Sequence, residues 1–351
     1  MTSGMETEVH RLAADWEDLA ERTGAGPFMH PGFITAWHAG FGEGPLELLT
    51  VRRNGRVVAL LPLQRCARTL RAPSNWDTPT FGPLAEDAAA LGELARALWS
   101  ATGVRRVSLG FLQAGTEAAA VLRQVAERSG WRVRETTLQR SPYLPLDGGW
   151  EEYELGFPSK RRSNLRRLRK RLEERGTLTL QVEEGPERLG ELLEEGFAVE
   201  ASGWKGESGT AIASSPGTRR YYVQAAHWAA QRGLLRLAFL RLDGRPLAFD
   251  FAFEDRTAHY LIRTGYDPAF RSFAPGVVMR REMIARAFRL GLARYEFLGA
   301  EAPWKHEWTE RVRAFVMLEA FARSPAGTSS WVIWRYARPA VHRARAAVSR
   351  S

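Results

Sequence analysis

The sequence predicts an α/β fold (α+β mixed sheet) arranged as two domains, and three observations carry this. The 351-residue chain is long enough for two domains of ordinary size, each with its own core. Strand and helix signals alternate through the first half, and a Pro/Gly-rich connector, SPYLPLDGGW at 141–150, follows them. In the second half, successive strand signals end in a β-α-β unit whose helix opens with unsatisfied backbone N–H groups. The expected domains are 1–145 and 146–328, with a basic C-terminal helix at 329–351.

Taken in order, residues 11–22 read as a helix with Leu12, Trp16 and Leu19 on one side, and a short helix follows Pro31 in PGFITAWHAGF. Segments 46–53 and 56–64 flank Asn54-Gly55, a pair that accepts the positive φ values of a type I′ turn, and so predict a β-hairpin. APSNWDTPTFGPL at 72–84 is rich in turn formers and reads as an ordered loop. Helix 86–101, strand 104–111, helix 115–129 and strand 131–138 complete the first domain. His30, Trp76 and Asp77 lie in its loops without any nucleophile motif, and read as scaffold that also shapes a cleft.

Past the connector, FPSKRRSNLRRLRKRLEERG predicts a helix with Ser159 as N-cap, a narrow apolar stripe of Leu165, Leu168 and Leu172, and Gly176 as its stop. Lys and Arg fill nine of the sixteen positions from 160 to 175. Such a run is either a solvated face or a phosphate-binding one. Strand 178–182, helix 187–201, helix 218–232 and strands 235–242, 246–254 and 257–264 follow, with Asp243-Gly244 and Asp255-Arg256 as two-residue turns. An Arg271-x-x-x-x-Gly276 loop then opens a helix carrying Met279, Met283, Ile284, Ala287 and Phe288 on one face. Gly291 closes it, a strand at 295–298 returns, and a Gly/Ala/Pro loop ends in Trp304-Lys305. The start of that helix is an anion site in waiting.

Composition narrows the function classes. Hydrophobic content of 44% and charged content of 26% are those of a globular protein. A net charge of +10 favours phosphate-bearing ligands, nucleic acid or an anionic membrane surface. The single cysteine, Cys66, excludes an internal disulfide and a Cys-based metal cluster, and fits a reducing cytoplasm. No signal peptide and no run approaching the ~20 apolar residues of a membrane span is present, so a soluble, cytoplasmic protein is expected. Hydrolase, NTPase and zinc motifs are missing, and no metal is expected.

Three polar side chains in the second half invite chemistry. In the strand PLAFDFAFE, Asp250 shares a face with Ala248 and Ala252. With two-residue turns it also shares that face with Leu237, Leu261, His259 and Arg263. It reads as a general base, or as a buried carboxylate paired with Arg263. Glu296, in YEFLG, poses the same choice between base and ion pair. Lys305, among aromatic neighbours, is placed to hold a phosphate, or is simply exposed.

EASGWKGESGTA, LAFLRLDGRPLAFDFAFE, GYDPAFRSFAPG and YEFLGAEAPWKHEW together resemble the GNAT-fold acyltransferases of the CelD/BcsL type, relatives of the FemABX aminoacyltransferases. The likeness covers residues 157–320 well and the first half more loosely, through WEDLAERTGAGPFMHPGFITAW and VVALLPL. It implies two tandem GNAT-like domains, the first degenerate and the second with the complete donor-site wedge. An acyl thioester would sit where strands 257–264 and 294–298 part. Its pyrophosphate would lie on Arg271, Ala274, Pro275, Gly276, Val277 and Val278. This loop reads RSFAPGVV where usual GNAT enzymes carry a glycine-richer one.

The function expected is therefore N-acyl transfer from acyl-CoA to a small-molecule or peptide amine by direct attack, with no metal. Asp250, Glu296 and Tyr266 are the candidate catalytic residues. Trp204, Lys205, His259, Arg263, Lys305, Lys160, Arg161 and Asn164 are the candidates for binding substrate or phosphate. One rival is aminoacyl transfer from an aminoacyl-tRNA, which the basic helix suits. Another is a non-catalytic GNAT-fold binding protein, with peripheral membrane contact through 331–351.

Overall fold

The computed structural model describes residues 6–203 and 211–323; Trp204, Lys205 and the expected C-terminal helix lie outside the described residues. In chain order the elements are α1 (Glu6–Arg22), α2 (Pro31–Phe41), β1 (Leu46–Arg53), β2 (Arg56–Cys66), β3 (Thr69–Arg71), β4 (Leu84–Ala85), α3 (Ala88–Trp99), β5 (Arg106–Gln113), α4 (Glu117–Arg128) and β6 (Arg132–Pro145). They continue as α5 (Trp150–Leu155), α6 (Ser159–Glu173), β7 (Leu178–Glu183), α7 (Leu189–Ala201), α8 (Pro216–Gln231), β8 (Leu235–Leu242), β9 (Arg245–Glu254), β10 (Ala258–Tyr266), α9 (Pro275–Arg289), β11 (Arg294–Glu296), α10 (Pro303–His306) and β12 (Val312–Phe321).

Two compact units emerge, but not as consecutive blocks. One takes in the described parts of Met1–Pro31, Gly42–Leu138 and Ala314–Ser351; the other takes in Gly32–Phe41 and Gln139–Arg313. In the first unit the strand order is β1-β2-β3-β5-β12 with β4 beside β2; β3 and β5 pair in parallel and the other named pairs are antiparallel. Its hairpin turns at Asn54 (φ 51°) and Gly55 (φ 80°), the left-handed conformations that an Asn-Gly pair accepts. Asp87 and Thr116 cap α3 and α4 by accepting the N–H groups of Ala90 and Ala119.

The second unit has the order β6-β11-β10-β9-β8-β7, with β10 and β11 parallel and the remaining neighbours antiparallel. β9 lies fully buried at its centre. Phe249, Phe251 and Phe253 meet α7 and α8 on one face, where Tyr222 stands edge-on to Phe251 at 5.2 Å. Asp250 faces α9 on the other. Leu165, Leu168 and Leu172 of α6 join Met279, Met283 and Ile284 of α9 in the core of that layer. The apolar stripe of α6 is thus a packing seam, as its spacing predicts.

Three expectations need correction. The connector at 141–150 is strand as far as Pro145. Its prolines fall where only a carbonyl is needed, because Pro142 O accepts from Phe297 N–H while Tyr143 N–H donates to Arg311 O. Ser159 is the first helical residue of α6 and makes no cap; Pro158 holds the cap position. The registers beside β9 also differ from those of two plain turns. Asp243-Gly244 is the two-residue turn expected, but a bulge between Leu240 and Arg241 sets Asp250 opposite Ala238. The next turn is longer, since Glu254 pairs with His259 and the Asp255 carboxylate accepts the N–H groups of Thr257 and Ala258. A second bulge between Leu261 and Arg263 brings Thr264 opposite Asp250 and turns Arg263 to the other face, opposite Phe251.

Candidate active site

β10 and β11 pair in parallel at Ala258/Arg294, His259/Tyr295 and Tyr260/Glu296, and the register ends there. Past Glu296 the chain turns away through Leu298 (φ 48°) and Gly299 (φ 59°), while β10 continues against β9 to Tyr266. The two strands therefore part on the side where the loop Asp267–Ala274 leads into α9. Ala274, at φ 49° and ψ 54°, makes the left-handed corner before the helix. Pro275 has no N–H, and the amides of Val277 and Val278 both return to the Ala274 carbonyl. Among the described residues this leaves the Gly276 N–H as the unengaged donor of that turn. Tyr266, 37% exposed, stands beside it, its ring 3.6 Å from where a Cβ on Gly276 would be. Arg271 is exposed in the same loop. An open amide, a helix start and an exposed guanidinium fit an anionic donor such as the pyrophosphate of coenzyme A.

Arg280 of α9 fills the space the alanines leave beside Asp250, and its Nη1 and Nη2 donate to the two carboxylate oxygens at 2.7 and 2.8 Å. Asp250 is 0% exposed and Arg280 is 2% exposed. Arg280 also donates to the hydroxyls of Tyr295 and, at 3.3 Å, Thr264. Burial opposes the guanidinium charge, but the Asp250 carboxylate raises its pKa further, so Arg280 stays charged. Burial likewise raises the Tyr295 phenol. Arg280, and not Arg263, is therefore the partner of Asp250. Helical periodicity gives no sign of it, because an arginine between Met279 and Met283 reads as solvent-facing.

His259 continues this cluster, stacked on Tyr295 with ring centroids 4.7 Å apart. Its Nδ1 lies 3.0 Å from Glu254 Oε2, which also accepts from Arg286 at 2.6 Å. Burial would raise the Glu254 pKa, yet these two hydrogen bonds hold it down at about 2. Glu254 is then ionised, so Nδ1 of His259 carries the donated proton. Burial pushes the His259 pKa down, and its Nε2 has no hydrogen-bond partner among the described residues. His259 is a core residue and not a ligand-facing one.

Glu296, 6% exposed, accepts from Arg313 and, at 3.2 Å, Arg294, both on Oε1. The ion pair that the sequence allowed is present, and among the described residues it leaves Oε2 without a hydrogen bond at the last paired position beside the parting strands. Lys305 is 7% exposed and does not reach outward. Its Nζ donates to the carbonyls of Leu298 and Ala300, fixing the loop after β11. Arg263 donates to the Tyr222 hydroxyl at 2.7 Å and lies 3.9 Å from the buried carboxylate of Glu200. Arg161 lies over Phe157 and Trp308, Asn164 accepts from Arg167, and Lys160 is exposed.

Residues 159–306 match the family model described as Acetyltransferase (GNAT) domain. No curated protein sequence matches the chain. Among solved structures it is similar to the C-terminal domain of a protein described as a lysylphosphatidylglycerol synthetase from Agrobacterium fabrum, with 13% identity over 92% of this chain and 95% of that one and a TM-score of 0.57. It is also similar to FemX, with 13% identity, 90% and 97% coverage and a TM-score of 0.57. A conserved protein of unknown function from Bacteroides thetaiotaomicron shows 10% identity, 88% and 97% coverage and a TM-score of 0.58. At such identities the likeness is one of fold. The second unit has the GNAT fold, and the chain has the mixed α/β class that its sequence predicts. Among the described residues, no helix is long and apolar enough to cross a membrane.

Proposed function

We propose that the second unit is an N-acyltransferase of the CelD/BcsL kind, moving an acyl group from acyl-CoA to an amine by direct attack. The observation that carries this reading is the early end of the β10/β11 pairing beside the start of α9. Coenzyme A would supply the thioester that the amine attacks. Arg271 and the Gly276 N–H would hold its pyrophosphate, and the backbone of β10 freed past Tyr260 would orient the pantetheine arm and polarise the thioester carbonyl. Glu296 is the better placed of the two carboxylates for taking the amine proton, because its Oε2 is open while both oxygens of Asp250 are bound to Arg280. Asp250 and Arg280 would instead fix Tyr295 and the floor of the site. On this reading the protein works in the cytoplasm, where acyl-CoA is found.

The test is release of free thiol from acetyl-CoA and longer acyl-CoAs in the presence of a panel of amines. Glu296→Gln is expected to lower kcat by about 10²- to 10⁴-fold with the fold intact. Full turnover by this variant would remove Glu296 as the base. One observation favours a second reading, an aminoacyl-tRNA donor: Lys160, Arg166 and Arg167 line an exposed basic face of α6. RNA binding that falls steeply with salt, with no affinity for acyl-CoA, would transfer the protein to that class.

A further inference from the structure

We propose that α6 and the loop Pro268–Phe273 form a second phosphate site, which takes the terminal phosphate monoester of the donor. The inference rests on the acyl-CoA reading above and extends its donor site. Arg171 lies in the last turn of α6 and Arg175 two residues past its end, and both guanidinium groups lie over the same ring, Phe273, at 4.8 and 4.9 Å from its centroid. Arg171 also donates to the Ser272 carbonyl at 3.1 Å. Phe273 stands two residues before Pro275, at the entrance to α9.

Most of the neighbouring cations are already neutralised. Arg169 pairs with Glu173 and Glu282, Lys170 with Glu174, and Arg245, stacked on Phe270, with Asp267. Arg171, Arg175 and Arg271 have no carboxylate within ion-pair distance among the described residues. Two like charges held against one ring repel each other, and an anion placed between them relieves that repulsion. The backbone and aromatic contacts fix the guanidinium planes in advance, so little side-chain freedom is left to lose on binding. A phosphate monoester, with a charge of about −1.5 to −2 and three acceptor oxygens, matches two guanidinium groups better than a singly charged diester. Coenzyme A carries such a monoester on its ribose; dephospho-coenzyme A lacks it.

The experiment is calorimetric titration of the full chain with coenzyme A, dephospho-coenzyme A and bulk tRNA. The wild type is compared with Arg171→Gln/Arg175→Gln, Arg171→Lys/Arg175→Lys and Arg271→Gln, each checked for an unchanged circular-dichroism melt. Wild type is expected to prefer coenzyme A over dephospho-coenzyme A by at least about tenfold, the range of a charge-assisted phosphate contact. The double Gln variant is expected to lose that preference while keeping its affinity for dephospho-coenzyme A, and the double Lys variant to retain part of it. Arg271→Gln should weaken both ligands together. Equal binding of the two ligands by wild type would overturn this site and leave the donor reading standing. Binding of neither would overturn the donor reading itself. Loss of tRNA binding in the double Gln variant, with coenzyme A discrimination unchanged, would assign the two arginines to nucleic acid instead.

Discussion

Asp250 shows how a residue's neighbours decide its role. A carboxylate on a buried strand is costly alone, and here Arg280 meets it with two charge-assisted hydrogen bonds. Removing one partner leaves the other charge buried, so Asp250→Asn is expected to cost about 3–5 kcal/mol in urea unfolding. A double change, Asp250→Ala with Arg280→Met, should cost less than the two singles summed. A midpoint for Asp250→Asn within error of wild type would remove the pair's structural role. Glu254 and His259 make stability depend on pH. Glu254 is held at about 2, below the ~4.3 of an unfolded glutamate, so the stability it adds is present at neutral pH and is lost as pH falls from about 4 toward 2. The buried His259 also has a lowered pKa, so protons bind the unfolded state first and stability falls as pH drops through about 6.5. Both effects have the same sign. Urea midpoints are expected to decline steadily from pH 7 to pH 3, with Glu254 contributing on the order of 2 kcal/mol over that range; a flat profile would contradict this.

At the scale of elements, the glycine that matters near the proposed donor site is not the one in the loop motif. Gly265 on β10 lies against α7, where an added Cβ would stand 2.6 Å from the Glu200 Cα. At Gly276 the same atom would make an ordinary contact of 3.6 Å with Tyr266. Gly265→Ala should therefore cost about 1–3 kcal/mol by pushing α7 off the sheet, whereas Gly276→Ala should be neutral or slightly stabilising. Thermal melts of the two variants decide this, and the reverse order would show that the α9 start needs glycine. The two bulges that flank Asp250 belong to this scale as well. Each inserts a residue in one strand, and a shift of one residue exchanges the faces of everything beyond it. Arg263 ends beside Tyr222, on the opposite face from the carboxylate that it was expected to pair with.

At the scale of the molecule, the second unit is completed by a helix from far earlier in the chain. In α2, Phe33 packs edge-on to Tyr221 at 5.8 Å, and a Cβ on Gly40 would meet the Gly217 carbonyl at 2.6 Å. A fragment starting at Gln139 would expose the α8 surface that α2 covers. It is expected to bind a hydrophobic dye and melt at lower temperature than the same unit in the full chain, and adding the 31–41 peptide should partly restore it. Indistinguishable melts would show that the unit is complete without α2. On the proposed reading, donor binding also acts globally. Coenzyme A at 100 times its dissociation constant should stabilise the native state by about 2.7 kcal/mol.

Much of this was legible in order along the chain. Apolar spacing marked α6 and α9, Asn54-Gly55 and Asp243-Gly244 marked their turns, and the strand, loop, helix and strand around Arg271 marked the start of α9, because these signals depend on neighbours within a few residues. Tertiary structure decided the rest. It put Arg280 under Asp250 from 30 residues away. It turned Lys305 inward onto its own loop and sent 32–41 and 314–323 to units other than those their position implied. β12 and the strand character of 141–145 escaped detection because they are set by the strands beside them. Local spacing fixes which face of an element is apolar; which charge must be neutralised, and which carboxylate keeps an oxygen open, depends on what another element brings to that face.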